Sequence, residues 1–377
     1  MDVSSEMIHA LLPIYMITVL GASTLTVGII EGIAEATASI TKVFSGAISD
    51  WIGKRKLLVV IGYGLAAFTK PVFPLADAIS WLIGARFIDR IGKGIRGAPR
   101  DALVSDIAPP DLRGASFGLR QSLDTVGAFM GPLLAIGLMY LTANNFKTVF
   151  WLAIIPAFVS LGLILFAVKE PPRAPKTQRI KFPLSRSQIA LLSPAFWRVV
   201  SVASIFTLAR FSEAFLILKA QAVGLSIALV PAIIVVMNVV YAITAYPVGV
   251  LSDGPRGRSR LLVIGLLMLT AAHLVLGLAN DVWLVGVGVI FWGLHMGFTQ
   301  GLLATLVADT APLDLRGTAF GMFNLATGVV LLIASALAGF LWQSFGPSMT
   351  FFAGAGFAAL SLIGFVVLER LSGSRPA

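Results

Sequence analysis

Twelve stretches of mainly apolar residues, each close to 20 residues or longer, divide the chain from end to end, separated by charge clusters and by Pro, Gly and Asn. A helix needs about 20 such residues to cross the hydrocarbon of a bilayer, so the pattern predicts an all-α membrane protein. The predicted spans cover 3–20, 25–49, 57–76, 79–104, 113–141 and 147–168, then 196–218, 227–252, 261–279, 282–308, 316–342 and 347–368. Several exceed 25 residues, which implies tilt or ends that project beyond the bilayer. A membrane barrel would instead need segments of about ten residues with alternating polarity, and the sequence has none. Charged residues are only 12% of the chain, about half of what a soluble domain carries. That excludes a soluble enzyme, a disordered chain and a nucleic-acid binder with a wet basic face. With no Cys there are no disulfides, thiol nucleophiles or Cys-based metal sites. His9, His273 and His295 are too scattered for a His-based site, so no cofactor, metal or covalent chemistry is expected.

Lys and Arg in the loops set the orientation. With the N-terminus inside, the cytoplasmic stretches hold 14 of them, including Lys54, Arg55, Lys56, Arg256, Arg258, Arg260 and six between Lys169 and Arg186. The other side has only Lys147 and Lys219. Both termini are therefore expected in the cytoplasm, and the net charge of +10 reads mostly as a topology signal. The start, Met1 to Glu6, is acidic and lacks a following cleavage site, so span 1 does not read as a signal peptide. It also has no preceding polar tail, which leaves open a start upstream of Met1. The basic, Pro-rich stretch 169–193 reads as a cytoplasmic linker between bundles at 1–168 and 194–368, with 369–377 as a tail.

The two halves repeat. Ala108–Gly118 (APPDLRGASFG) recurs as Ala311–Gly321 (APLDLRGTAFG), an offset of 203 residues that also carries Gly46–Asp50 (GAISD) onto Gly249–Asp253 (GVLSD). Two segments sharing one offset point to duplication of a six-helix unit, the halves related by an axis along the membrane normal.

Twelve spans, a 6+6 repeat and a basic central loop resemble the major facilitator superfamily. The loop Gly46-Ala-Ile-Ser-Asp50-Trp-Ile-Gly53-Lys54-Arg55-Lys56 is similar to its G-x-x-x-D-[RK]-x-G-[RK]-[RK] signature, departing at Trp51. Arg90-Ile-Gly-Lys-Gly94 resembles its span-4 pattern, and Gly118, Gly127, Gly131 and Pro132 resemble the span-5 signature of proton-coupled exporters. Asp2–Glu6 and Gly92–Asp101 are most similar to prokaryotic permeases of the superfamily, whose first helix is longer. The resemblance implies two bundles around a central cavity that opens alternately to each side, and proton-linked efflux of a small solute. It places the protein in the cell's inner membrane, as a monomer whose partners are its solute, protons and lipids. It also implies that Asp50 and its repeat Asp253 latch the cytoplasmic face, with Gly46 and Gly53 allowing the close approach and turn. Arg113 and Arg316 are candidate partners, and Lys54, Arg55, Arg100 and Asp101 belong to the same gate. The bland alternative is an anchor that only fixes orientation.

Span 4 repeats cations at Arg86, Arg90, Lys93, Arg96 and Arg100, mainly on one broad helical face, with Asp89 and Asp101 beside them. Charges at bilayer depth cost roughly 2.5–3.5 kcal/mol each on insertion scales, so these should face protein or water. At the 203 offset the four arginines meet Val289, Gly293, Thr299 and Leu303, so the charge belongs to the first half alone. Candidate counter-ions are Glu31 and Glu35 in span 2, Asp124 in span 5 and Glu213 beside Arg210 in span 7. These acids read either as structural ion pairs or as proton sites, because burial favours the neutral acid and a neighbouring cation favours the anion. The span-4 cations are counter-ions to them or ligands for an anionic substrate. Asn238 and His295 are further cavity candidates. Uptake of an organic anion, or a nontransporting sensor on the same fold, remain as alternatives.

Overall fold

The computed structural model describes residues 1–52, 54–107, 113–170, 189–252, 257–310 and 316–373, and among them every regular element is helical. Helices are α1 (Asp2–His9), α2 (Leu12–Thr18), α3 (Thr24–Ile52), α4 (Arg55–Thr69), α5 (Val72–Leu75), α6 (Ile79–Ile107), α7 (Arg113–Leu141) and α8 (Phe146–Phe166). After the linker come α9 (Pro194–Ala209), α10 (Ala214–Ala222), α11 (Ala232–Ser252), α12 (Gly257–Leu278), α13 (Val282–Thr310), α14 (Arg316–Phe345) and α15 (Pro347–Gly373). They form twelve spans, because three spans are interrupted. Span 1 breaks between α1 and α2, where Pro13 opens the second piece and its missing N–H costs nothing. Span 3 breaks at Lys70-Pro71, and span 7 between Arg210 and Glu213. Nine spans among the described residues are long and apolar enough to cross a bilayer on composition alone. The other three are spans 1, 2 and 4, the first too short in each piece and the others diluted by their own charges.

The chain packs as two compact units, Met1–Ala22 with Ile33–Ser185 and Ser23–Gly32 with Arg186–Ala377. Within each, large apolar side chains stay outward: Phe166 in the first is 87% exposed and Trp283 in the second 86%. Together with nine spans among the described residues long and apolar enough to cross a bilayer, such a surface fits a lipid surround. Inside, helices meet where glycine removes the side chain. A Cβ on Gly62 would lie 2.7 Å from Arg96 Cβ, and one on Gly94 2.5 Å from Thr41 Cβ. The second unit repeats both contacts at the same 203 offset, Gly265 against Thr299 and Gly297 against Thr244. The sequence repeat is thus a repeat of helix packing.

The equivalence extends into the cores, with a change of chemistry. In the first unit Lys70, 1% exposed, bonds Asp89. The equivalent pair in the second is His273 and Trp292, whose rings meet edge to face at 5.3 Å inside a cluster with Phe211 and Phe351. One buried position is an ion pair in one half and an aromatic contact in the other.

Candidate functional site

A cavity of about 350 Å³ lies within the first unit, at the small end of the range for ligand pockets. Four helices wall it: α1 contributes Asp2 and Glu6, α3 contributes Glu35, Ser39 and Lys42, α6 contributes Lys93, Arg96 and Arg100, and α7 contributes Asp124. Four acids face four cations. Each faces the same void because of helical period: Glu35, Ser39 and Lys42 recur every three or four residues on α3, as do Lys93, Arg96 and Arg100 on α6.

Two glycines bring the α1 acids to the wall. A Cβ on Gly127 would lie 2.9 Å from Asp2 Cβ, and one on Gly131 2.6 Å from Glu6 Cβ and 2.8 Å from the Val3 carbonyl. These span-5 glycines therefore act as the seat of α1. Gly94 and Gly97 leave similar room on α6, where the Lys42 stem lies 3.6 Å from the place a Gly97 Cβ would occupy.

Every acid on the wall has a basic partner. Arg100 donates to both oxygens of Asp124, at 3.4 and 3.2 Å, and lies 3.5 Å from Asp101. Arg90 donates to Glu35 at 3.3 Å, Arg96 lies 3.6 Å from Asp2, and His9 lies 3.4 Å from Glu6. The Arg96 guanidinium also stacks on Tyr63, 4.8 Å from its centroid. Behind this wall runs a buried chain of charge. Lys70 Nζ donates to Ser5 at 3.0 Å and to Asp89 at 2.9 Å, and the other Asp89 oxygen is 3.4 Å from Arg90 Nε. Ser5, Lys70, Asp89, Arg90 and Glu35 are thereby linked from α1 through the α4–α5 break and α6 to α3. Neither the Lys70–Asp89 bond nor the Asp2–Arg96 pair was legible as a pattern, since each joins residues on different helices.

Other predicted residues lie elsewhere. Glu31 and Arg86 are buried and neither lines the cavity. Arg210 closes α9 with its guanidinium 5.7 Å from the Phe206 ring, and Glu213 precedes α10. His295 is fully buried between Phe206 and Trp292, and Asn238 donates to the Ile234 carbonyl at 2.9 Å. In the predicted gate, a Cβ on Gly46 would lie 3.3 Å from Ala98 Cβ on α6. Lys54 precedes α4, and the first backbone N–H groups of that helix, at Arg55 and Lys56, donate to Glu170 at 2.6 and 3.3 Å. A carboxylate suits that helix end, and the chain reaches it in the first residues of the linker. Gly53 and Asp253 lie outside the described residues, as do the side chains of Asp50, Arg113 and Arg316.

None of the cavity charge is repeated in the second unit. Asp2, Glu6, Glu35 and Lys42 meet Ile205, Ala209, Asn238 and Ala245 at the 203 offset, and Lys93, Arg96, Arg100 and Asp124 meet Met296, Thr299, Leu303 and Thr327. Thr299 and Leu303 instead line a small apolar void with Phe206 and Phe365.

Twelve helical spans in two repeated bundles, with a charged cavity walled by four helices of the first, define a multi-pass membrane protein of the transporter class. The profile of the Major Facilitator Superfamily matches residues 1–220 and 214–376, and the chain belongs to that superfamily. An uncharacterised MFS-type transporter of Methanocaldococcus jannaschii is 34% identical over 370 residues, covering 96% of this chain and 90% of its own. The inner membrane transport protein YajR of Escherichia coli is 24% identical over 383 residues, covering 94% and 78%. Among solved structures, the nucleoside transporter NupG superposes with a TM-score of 0.77 at 13% identity, covering 98% of this chain and 96% of its own. A POT family transporter in complex with 5-aminolevulinic acid superposes with a TM-score of 0.81 at 14% identity, covering 99% and 93%. At such identities these structures share the fold.

Proposed function

We propose that the protein moves a small solute across the inner membrane by alternating access, exchanging it for protons in the direction of export. Two six-helix halves, 1–168 and 194–368, rock about the solute with 169–193 as their cytoplasmic tether. Both termini lie in the cytoplasm and the monomer is the working unit. The observation that carries this reading is the cavity in the first unit, where four carboxylates and four cations from four helices meet around one void.

Glu35 and Asp124 are the proton sites. Each faces the void on one side and an arginine on the other, Arg90 for Glu35 and Arg100 for Asp124. A proton arriving on either acid releases its arginine, and a returning arginine expels the proton, which ties occupancy of the cavity to protonation. Asp50 and Asp253 hold the cytoplasmic side closed between turnovers. Export rests on the likeness of the span-5 glycines to those of proton-coupled exporters. Uptake of an organic anion is the second reading, favoured by the two lysines on the cavity wall.

The test is transport by the purified protein in liposomes under an imposed pH gradient, screened over solutes. Glu35→Gln and Asp124→Asn should each abolish the response to the gradient while solute exchange without a gradient continues. Full gradient-driven transport by both variants would refute the proton assignment, and gradients of opposite sign separate export from uptake.

A further inference from the structure

We infer that Lys42 and Lys93 form an anion-binding subsite in the first-unit cavity, and that the solute carries a carboxylate or phosphate group. This rests on reading that cavity as the transport site. The cations on its wall fall into two kinds. Arg96 and Arg100, and Arg90 beside them, are held by Asp2, Asp124 and Glu35. Lys42 and Lys93 are exposed to the void and make no ion pair among the described residues. The arginines are therefore held at short range by the protein's own acids, whereas Lys93 acts on Glu35 and Glu6 from beyond ion-pair distance, and both ammonium groups keep donors for a ligand.

Their placement argues against an orientation anchor. Lys93 is the central residue of the 29-residue α6, about 21 Å from either end at 1.5 Å per residue. Lys42 lies ten residues from the end of α3, roughly 15 Å inside it by the same rise. Lysines that only mark the cytoplasmic side sit at the mouths of helices, where they reach headgroups. Far from a helix end a charged group needs a counter-charge or water, and among the described residues no acid lies within ion-pair distance of either ammonium group. The geometry also makes the subsite accessible. Gly94 and Gly97 line the void where α3 packs on α6, with the Lys42 stem lying over Gly97, and Ser39 adds a hydroxyl one turn from Lys42. Ammonium groups on flexible stems act as point charges for a carboxylate or a phosphate, and their donors are not committed to a fixed carboxylate partner as those of the paired arginines are. The second unit offers no equivalent, with Ala245 and Met296 at the repeat positions.

Binding to the full-length protein in dodecyl maltoside tests this by titration with inorganic phosphate, succinate and citrate, and with neutral succinamide as control. At least one anion should bind and succinamide should not. The double variant Lys42→Gln/Lys93→Gln should weaken that anion by about tenfold or more, the loss of at least one charge-assisted hydrogen bond. Lys42→Arg/Lys93→Arg should keep most of the affinity, and Lys147→Gln, exposed and remote on α8, should match the wild type. Absence of binding by all three anions, equal binding of succinamide, or an unchanged affinity in the double Gln variant each overturns the subsite. Added phosphatidylglycerol distinguishes a lipid headgroup from a soluble anion; competitive displacement by the lipid overturns the claim of a solute site. Gradient-driven transport of a neutral solute that survives the double Gln variant removes the subsite and leaves the transport reading intact. Anion binding without any transport in liposomes does the reverse.

Discussion

Replacing Lys70 by Met should cripple the first unit without touching the cavity wall. Lys70 and Asp89 are 2% and 3% exposed and 2.9 Å apart, so neither can turn to water when the other is lost. Removing one member of a buried pair costs about 3–5 kcal/mol, chiefly from the uncompensated charge left behind. Asp89 retains Arg90 at 3.4 Å, which places Lys70→Met near the lower bound, about 3 kcal/mol. At roughly 2–4 °C per kcal/mol for a unit of this size, the apparent Tm should fall by about 6–12 °C. The assay is thermal unfolding of the purified protein in detergent, followed by tryptophan fluorescence. The double variant Lys70→Met/Asp89→Leu removes both charges and should recover much of the loss, because an apolar pair can replace a buried ion pair at little cost. The second half already holds an uncharged pair, His273 and Trp292, at the same place. A drop below about 2 °C for Lys70→Met, or a double variant no better than the single, would refute energetic coupling of the pair.

Other substitutions probe the seat of each helix. Gly131→Ala places a methyl 2.6 Å from Glu6 Cβ and 2.8 Å from a backbone carbonyl, and should cost about 1–3 kcal/mol in thermal unfolding while displacing α1. Gly94→Ala meets Thr41 Cβ at 2.5 Å and the Ala38 carbonyl at 2.8 Å, and a destabilisation of about the same size is expected. Glu170→Ala removes the acceptor for two N–H groups at the start of α4 and should lower stability by about 0.5–2 kcal/mol, the usual value of a helix cap. Gly354→Ala forces a methyl onto the His273 ring; it should lower Tm and leave anion binding by the first-unit cavity unchanged.

The periodic and compositional features were open to reading from the chain alone. Long apolar stretches fix helices in lipid because each backbone N–H must find its own carbonyl there, so twelve spans and their boundaries follow from local sequence. The same holds for the duplication, since equal spacing of APPDLRG and APLDLRG is visible without a fold. The one-sided charge of span 4 followed from helical period. Interruptions were harder to place. The break at Ala10–Leu11 and the one between Arg210 and Glu213 fall within about one turn of each other in the repeat, yet only the first has a proline beside it.

Partnership was decided in three dimensions. From the sequence Asp124 was one of several candidate counter-ions to the span-4 cations, and the fold gives it both donors of Arg100 on α6. Lys70 was an isolated cation before a proline, and packing buried it against Asp89, nineteen residues away. Asp2 and Glu6 were the acidic start of a chain until Gly127 and Gly131 drew α1 against α7 and made them cavity wall. A sequence specifies which face of a helix carries charge, because that depends on neighbours three and four residues away. Which opposing charge it meets depends on how close two helices come, and small residues on both partners settle that together.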